Sequence, residues 1–502
     1  MMRFFSFRAR LACGVSLALY VFSSLPGLPQ TIQGPSVPIP PTLFGMTIHG
    51  AVKKTPWPAI PIGSLRLWDV VVWAQLNPGP GKYDWSRLDN VVSLYNSHGV
   101  YDMVFTFGKI PSWASKNPGS PCGSSPGLTV AIASISRKAG LVTVTTRSPL
   151  NRQPPEPIGI GGVASSSFDG GFGIASVQGP NVLTYLQEGD DEQSEGGNVY
   201  AYGGCSAGFA NTENVMDFTK ALTQRYCGRI TNYELWNEAG IAHFTDTPAQ
   251  LEQISRRQYA IIKDVSNCAC DREECAPGLA GGRNPNIVIA PAVSAVEPAQ
   301  LRWDSEYAGS SGMKDADVQN VHGYGFARAP EHLIAGIARI RSSGSSSLPV
   351  WDTEGCWGKN SDVPLDMQPG FVARFYIMHW LSGSSRLYWY AYDNPNLGTM
   401  WTPSGGMNAA GVAYGETYKW LVGAVLKQCS LADDHVSCNL TRPEAPGYSA
   451  HVIWSTSSQP ISYEVPSGFM EYRTLDGSVH TVSTHERLRV TEPIMLENSS
   501  LK

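Results

Sequence analysis

The sequence predicts an α/β protein: a (β/α)8 barrel, a small all-β insertion after the third strand, and a β-sandwich at the C-terminus. Three observations predict it. From Phe44 onward, short apolar runs rich in β-branched and aromatic residues alternate with stretches of helical period, the pattern of a parallel sheet with crossover helices. Between the third run and its helix, residues 124–205 lose the helical period and alternate in short runs separated by Gly, Ser and Asp. After a last helical stretch, Tyr414–Leu426, the period-two alternation returns.

The strand expectations are Phe44–His49, Leu65–Val72, Asp102–Phe107, Ile230–Trp236, Ile287–Ala290, Val318–Tyr324, Leu348–Thr353 and Arg386–Tyr392. Between them, Trp85–His98, Val215–Arg225, Pro248–Val265, Pro330–Arg341 and Pro369–Leu381 carry apolar residues at helical spacing. Three of these begin with proline in the first turn, where its missing N–H costs nothing. Eight strand–helix units need about 250 residues, so a chain of 502 has room for extras. The barrel takes residues 31–123 and 206–427, the insert 124–205, and the sandwich 428–502. Within the insert, the run Gly162–Phe172 resembles short β-barrel modules of bacterial surface and phage-tail proteins.

Residues 1–30 read as a secretory signal peptide. Arg3, Arg8 and Arg10 precede the apolar run Leu11–Leu25, and Pro26, Gly27 and Pro29 follow it. No later segment is long and apolar enough to span a bilayer. The mature protein is therefore expected to be secreted, periplasmic or at the cell surface, without a membrane span, and monomeric. Export makes disulfides the expectation for its nine remaining cysteines. Cys122 and Cys205 flank the insert and are expected to staple its neck, and Cys429 and Cys438 to close a loop of the sandwich. Cys268, Cys270 and Cys275 lack a fourth ligand, so disulfides are favoured over zinc. An odd count leaves at least one thiol unpaired; Cys356 is either that thiol or a disulfide half.

Lys and Arg number 37 against 42 Asp and Glu, a net charge of −5, with no run of five like charges. That excludes a phosphate-tracking surface, and no nucleic-acid partner is expected. The phosphate-loop, His-Glu-x2-His, dinucleotide and Gly-x-Ser-x-Gly patterns are all absent, so neither a metal nor another cofactor is expected.

Chemistry in such barrels sits at the C-terminal ends of the strands. There the fourth strand ends Trp236-Asn237-Glu238 and the seventh Asp352-Thr353-Glu354. Two carboxylates at one mouth meet the requirement of glycosidic-bond cleavage, in which one acid protonates the departing oxygen and the other attacks the anomeric carbon or activates water. A carbohydrate is thus the expected partner. Asp352 shares a face with Glu354 by strand alternation, and Glu354 is preferred because it lies at the rim, with Asp352 one layer deeper. Arg66 either holds the nucleophile ionised or pairs with a buried acid. Asn237 either donates to a sugar hydroxyl or serves as a turn amide. His49, His322 and Tyr324 read equally as site residues or satisfied core residues. Trp73, Trp113, Trp357, Trp389 and Trp401 offer flat faces for sugars or ordinary packing. Glu234 and Asp69 read as structural.

Trp236-Asn237-Glu238, Glu354, His322-x-Tyr324, Leu65–Asp69, Tyr83-Asp84-Trp85 and Phe107-Gly108 with Pro111-x-Trp113 together resemble glycoside hydrolase clan A, nearest to family 39 and its bacterial relatives. The resemblance spans Phe44–Lys427 without the insert, plus the terminal sandwich. It implies retention of configuration, with Glu238 as acid/base and Glu354 as nucleophile. It departs at Ala239-Gly240, where many relatives carry Pro-Asn, so substrate preference does not transfer. The rival readings are a glycan-binding barrel without turnover and a transglycosylase using the same glutamates.

Overall fold

The computed structural model describes residues 30–116, 128–150, 152–154, 157–168, 170–201, 208–239, 244, 246–268, 284–327, 329–345, 347–432 and 434–499. Eight parallel strands form the central sheet: β1 Phe44–Met46, β2 Ser64–Arg66, β3 Met103–Thr106, β4 Asn232–Glu234, β5 Ile287–Ile289, β6 Gln319–Val321, β7 Val350–Gly355 and β8 Ser384–Trp389. Each pairs with its chain neighbour, and β8 pairs with β1 through Leu387 opposite Phe44. Between β5 and β6 the ladder shrinks to single bridges, Ile289 to Val318 and Ser294 to His322, which complete the ring. This is the barrel expected from the alternating pattern.

The observed strands are shorter than the apolar runs. The second ends at Arg66, because Val70 and Val71 turn back to donate to the Leu67 carbonyl and Asp69 adopts φ +60°. An apolar run without Gly or Pro concealed that turn. One long helix follows each of β2 to β8: α1 Ser86–Ser97, α2 Glu213–Arg225, α3 Pro248–Lys263, α4 Pro298–Gly309, α5 Leu333–Ser343, α6 Gln368–Leu381 and α7 Ala409–Leu421, and a single helical turn, Trp73–Leu76, precedes α1. The link from β1 to β2 contains turns and no helix. Thr247 and Gln250 form a reciprocal capping box at the start of α3, ahead of Pro248 at its first turn.

The barrel interior is layered. Asp102, Asn232 and Arg386 close its lower mouth with hydrogen bonds. Above them Val104, Ile289, Val318, Trp351 and Tyr388, one from each of five strands, make a dry layer. Helix α6 was read as amphipathic, yet 13 of its 14 residues are buried. The reason is tertiary: the C-terminal sheet covers the face that would otherwise meet water.

That sheet has seven antiparallel strands in the order Gln30–Gln33, Val425–Leu431, His435–Thr441, Ser449–Ser455, Ile494–Glu497, Glu471–Arg473, Val479–Thr481. The first residues of the described chain therefore belong to this sheet rather than to the barrel. A ribbon of Ile461–Glu464 and Arg487–Val490 packs on its outer face through Ile461, Tyr463 and Leu488 against Ile453 and Ile494. Its inner face docks on the barrel, where Trp454 Nε1–H donates to Glu331, itself in a two-point ion pair with Arg374 of α6.

The insert forms an antiparallel sheet of eight strands around its own core, which includes Ile135, Val144, Phe172 and Tyr185. Cys429 and Cys438 form a disulfide, joining directly opposed residues of two paired strands. Cys227 pairs with Cys268, a link not foreseen. Cys356 is a buried free thiol. Cys122, Cys205, Cys270, Cys275 and the leader lie outside the described residues. No helix among the described residues is long and apolar enough to cross a membrane.

Candidate active site

The layer above the dry one is polar and saturated. Arg66 on β2 binds Glu234 on β4 through Nε and Nη2, at 2.8 and 3.0 Å. Thr106 and Asn320 donate to the same carboxylate at 2.7 and 3.0 Å. Thr353 Oγ1 adds a fifth at 3.2 Å, and with five donors and no exposure Glu234 is a structural acid. Burial works against its charge, but Arg66 and His322 more than compensate and hold it down to about 2. The remaining Arg66 donors rise to the rim: Nη1 reaches Glu354 at 2.6 Å and Nη2 reaches Asn237 Oδ1 at 2.6 Å. Arg66 therefore does both things the sequence left open, pairing with a buried acid and holding the rim carboxylate.

At the rim Glu238 and Glu354 converge. One carboxylate oxygen of each and a ring nitrogen of His322 lie within 4.8 Å of one another. His322 Nδ1 is 2.9 Å from Glu238 and Nε2 is 3.2 Å from Thr353 Oγ1. Burial disfavours its charge, yet Glu354, Glu234 and Glu238 surround the ring and push it up to about 10. His322 thus faces Glu238 with one ring nitrogen and Thr353 with the other. Tyr324 donates its phenol to Glu354 at 2.8 Å, and burial with the Glu354 charge keeps that phenol protonated. Burial raises the Glu354 carboxyl above its ordinary value, against the opposing pull of His322 and Arg66. The set contains two carboxylates and one imidazole, a donor set that could also ligate a cation.

The backbone around the rim is strained. Glu238, Asp69 and Lys109 hold φ values of +45°, +60° and +49°, each costing about 1–3 kcal/mol for a residue with a side chain. Asp69 pairs with Lys109 and accepts from the Tyr390 phenol at 2.8 Å. Burial opposes its charge, but Lys109 and Tyr390 lower its pKa below the ordinary aspartate value.

Asp352 is not one layer deeper inside the barrel. It faces outward, where Oδ2 meets His379 Nε2 of α6 at 2.7 Å and Oδ1 accepts from the backbone N–H of Gly323 and of Glu354, both at 3.1 Å. Thr353 is the inward residue. The β7–β8 register shifts between Asp352 and Gly355, and this irregularity returns Glu354 to the mouth.

The remaining candidates separate clearly. His49, half-buried, stands edge-on to Tyr390 at a centroid distance of 5.1 Å. Trp113 is half-buried with Nε1–H on the Asn77 carbonyl at 2.7 Å. Trp73 and Trp389 offer no sugar-facing surface and are corrected to core residues. Trp73 has no exposure and packs on Phe218 and Phe209, its Nε1–H held by Asn77. Trp389 points outward from β8 into Trp357, Phe371 and Phe375, with Nε1–H on Gly398. Sequence reasoning missed Tyr390, Lys109, Asn320, Thr353 and His379. Asn320 was accessible from the period of two, since it shares the face of His322.

The fold is a (β/α)8 barrel accompanied by antiparallel sheets. It is similar to a family 39 glycoside hydrolase from the gut symbiont Bacteroides cellulosilyticus WH2, with a TM-score of 0.53 and 13% identity over 91% of this chain and 80% of that one. It is also similar to a glucosidase from Croceicoccus marinus, with a TM-score of 0.50 and 11% identity over 94% of this chain and 98% of that one. No protein-family model and no curated protein sequence matches the chain. At these identities the likeness is one of fold.

Proposed function

We propose that the protein is an exported retaining glycoside hydrolase acting on β-linked carbohydrate, with Glu354 as nucleophile and Glu238 as acid/base. One observation carries the reading: the approach of the Glu238 and Glu354 carboxylates to within 4.8 Å. Retaining pairs stand about 5–5.5 Å apart, whereas inverting pairs need about 6.5–9.5 Å to admit a water between them.

In the first step a Glu354 oxygen bonds to the anomeric carbon, the glycosidic C–O bond breaks, and Glu238 delivers its proton to the leaving oxygen. In the second, water attacks the same carbon, gives its proton to Glu238, and the ester bond breaks to return Glu354. Arg66 and Tyr324 each hold one Glu354 oxygen and stabilise the carboxylate before attack and on departure. Mutual repulsion of the two carboxylates contributes to raising Glu354. Esterification neutralises Glu354 and leaves Glu238 to take the proton of the attacking water. Arg66 occupies Asn237 Oδ1, so the amide N–H groups of Asn237 serve the sugar 2-hydroxyl. The two disulfides among the described residues fit an oxidising compartment.

The test is hydrolysis of aryl β-glycosides and a polysaccharide panel, with the anomer of the first product read by NMR. Release of the β-anomer, abolished by Glu354→Gln, is expected. Release of the α-anomer would refute retention. Binding without any product would favour the glycan-binding barrel, and elongated products the transglycosylase.

A further inference from the structure

Glu354 stands outside the strand pairing that carries it. Asp352 is paired with Val321 of β6 and Leu387 of β8, and Gly355 with Trp389, but neither Thr353 nor Glu354 lies opposite a residue of either neighbour. The Glu354 backbone is held by other means. Its N–H donates to Asp352 Oδ1 at 3.1 Å, and its carbonyl accepts from the Gly323 N–H at 3.1 Å. The Gly323 N–H is shared, since it also donates to Asp352 Oδ1 at 3.1 Å. On either side of Gly323 stand His322, which meets Glu238, and Tyr324, which meets Glu354. One carboxylate oxygen thus ties the end of β7 to the turn that follows β6. Buried backbone donors need such an acceptor, and here the side chain supplies it where the ladder is irregular.

The seat of that carboxylate is closely built. A Cβ at Gly323 would run into Asp352 Oδ2, and one at Gly355 would stand 2.8 Å from it, so both neighbours must be small. His379 of α6 completes the seat, and neither side chain is exposed. Its Nδ1 lies 2.8 Å from the Phe375 carbonyl, which can only accept, so Nδ1–H donates there. Nε2 is left to face Asp352 Oδ2 at 2.7 Å. Asp352 therefore points towards α6 and reaches the rim only through backbone N–H groups.

We propose that Asp352 is a positioning residue for the reaction, which aims the Glu354 nucleophile and the His322–Tyr324 turn together through the N–H groups of Glu354 and Gly323. The proposal rests on the glycosidase reading, and one arm of its test does not. The whole chain is compared with Asp352→Ala, Gly323→Ala and Asp352→Asn. The first removes the acceptor, and the second drives a methyl group onto Oδ2. The third keeps Oδ1 for both N–H groups and offers an amide N–H to His379 Nε2. On an aryl β-glycoside, kcat should fall about 10²-fold in both alanine variants, with KM changed by no more than about twofold. Asp352→Asn should stay within about threefold of the parent in kcat. Crystal structures form the second arm: the Glu354 carboxyl should leave Arg66 or Tyr324 in both alanine variants and keep both in Asp352→Asn. Should Asp352→Ala fail to fold, Gly323→Ala and Asp352→Asn decide the matter. A Glu354 carboxyl unmoved in the alanine variants, a loss carried by KM alone, or an Asn variant as impaired as the alanine ones would overturn the proposal and leave the glycosidase standing. If the parent chain turns over no glycoside, that reading falls, and the crystal arm still decides whether Asp352 aims Glu354.

Discussion

Two adjacent regions of one barrel hold glutamates of similar burial and opposite character. In the polar layer Glu234 is fully enclosed, meets five donors and is held down to about 2. At the rim Glu354 is nearly as buried, meets two donors, and is raised above its ordinary value by desolvation. Burial alone therefore does not decide what a carboxylate does. The number of donors closing around it decides which way its pKa moves.

The strongest way to break this contrast is Glu354→Gln, which should lower kcat/KM by about 10⁴-fold or more while the thermal midpoint hardly moves. Both follow from steady-state kinetics and a melt on one preparation. Glu238→Gln should cost about 10²–10⁴ with a poor leaving group and much less with an activated aryl glycoside. Glu234→Gln should act the other way round, destabilising by about 3–5 kcal/mol in urea unfolding, because it removes the buried carboxylate that meets two Arg66 donors. A smaller loss, about 1–3 kcal/mol, is expected for His379→Leu, which removes a partner of buried Asp352. Since Asp352 also holds the Glu354 N–H, kcat should fall more than KM rises. Asp352→Asn, which keeps the acceptor, should retain most activity.

Acid should separate the two regions without mutation. Glu354 is raised, so its carboxylate form is lost as pH falls at values above the ordinary 4.5. Glu234 is lowered to about 2, so its contribution to stability is complete above about 4.5 and is lost only as pH falls from there towards 2. Activity should therefore disappear on acidification before the Glu234-linked stability does. Parallel kcat/KM and urea-midpoint profiles check the order, and coincident loss would contradict it.

The two β additions differ in the same instructive way. The insert encloses a core of its own, whereas Val452, Trp454 and Met495 of the C-terminal sheet belong to the barrel's core. Both were legible as period-two alternation between Gly-rich turns. The docking of the sheet was not, because Pro369–Leu381 shows only local pattern and cannot say what covers its second face.

The sequence by itself determined the alternating order of the elements, the two glutamates at strand ends, and the Cys429–Cys438 link, since all three rest on periodicity or short spacing. Tertiary structure alone decided that Trp73 and Trp389 are core, that Asp352 faces α6, and that Arg66 serves two acids. Those outcomes depend on which way a strand turns at its last residue and on donors arriving from four different strands. Such distances are closed by packing and have no trace in local order along the chain.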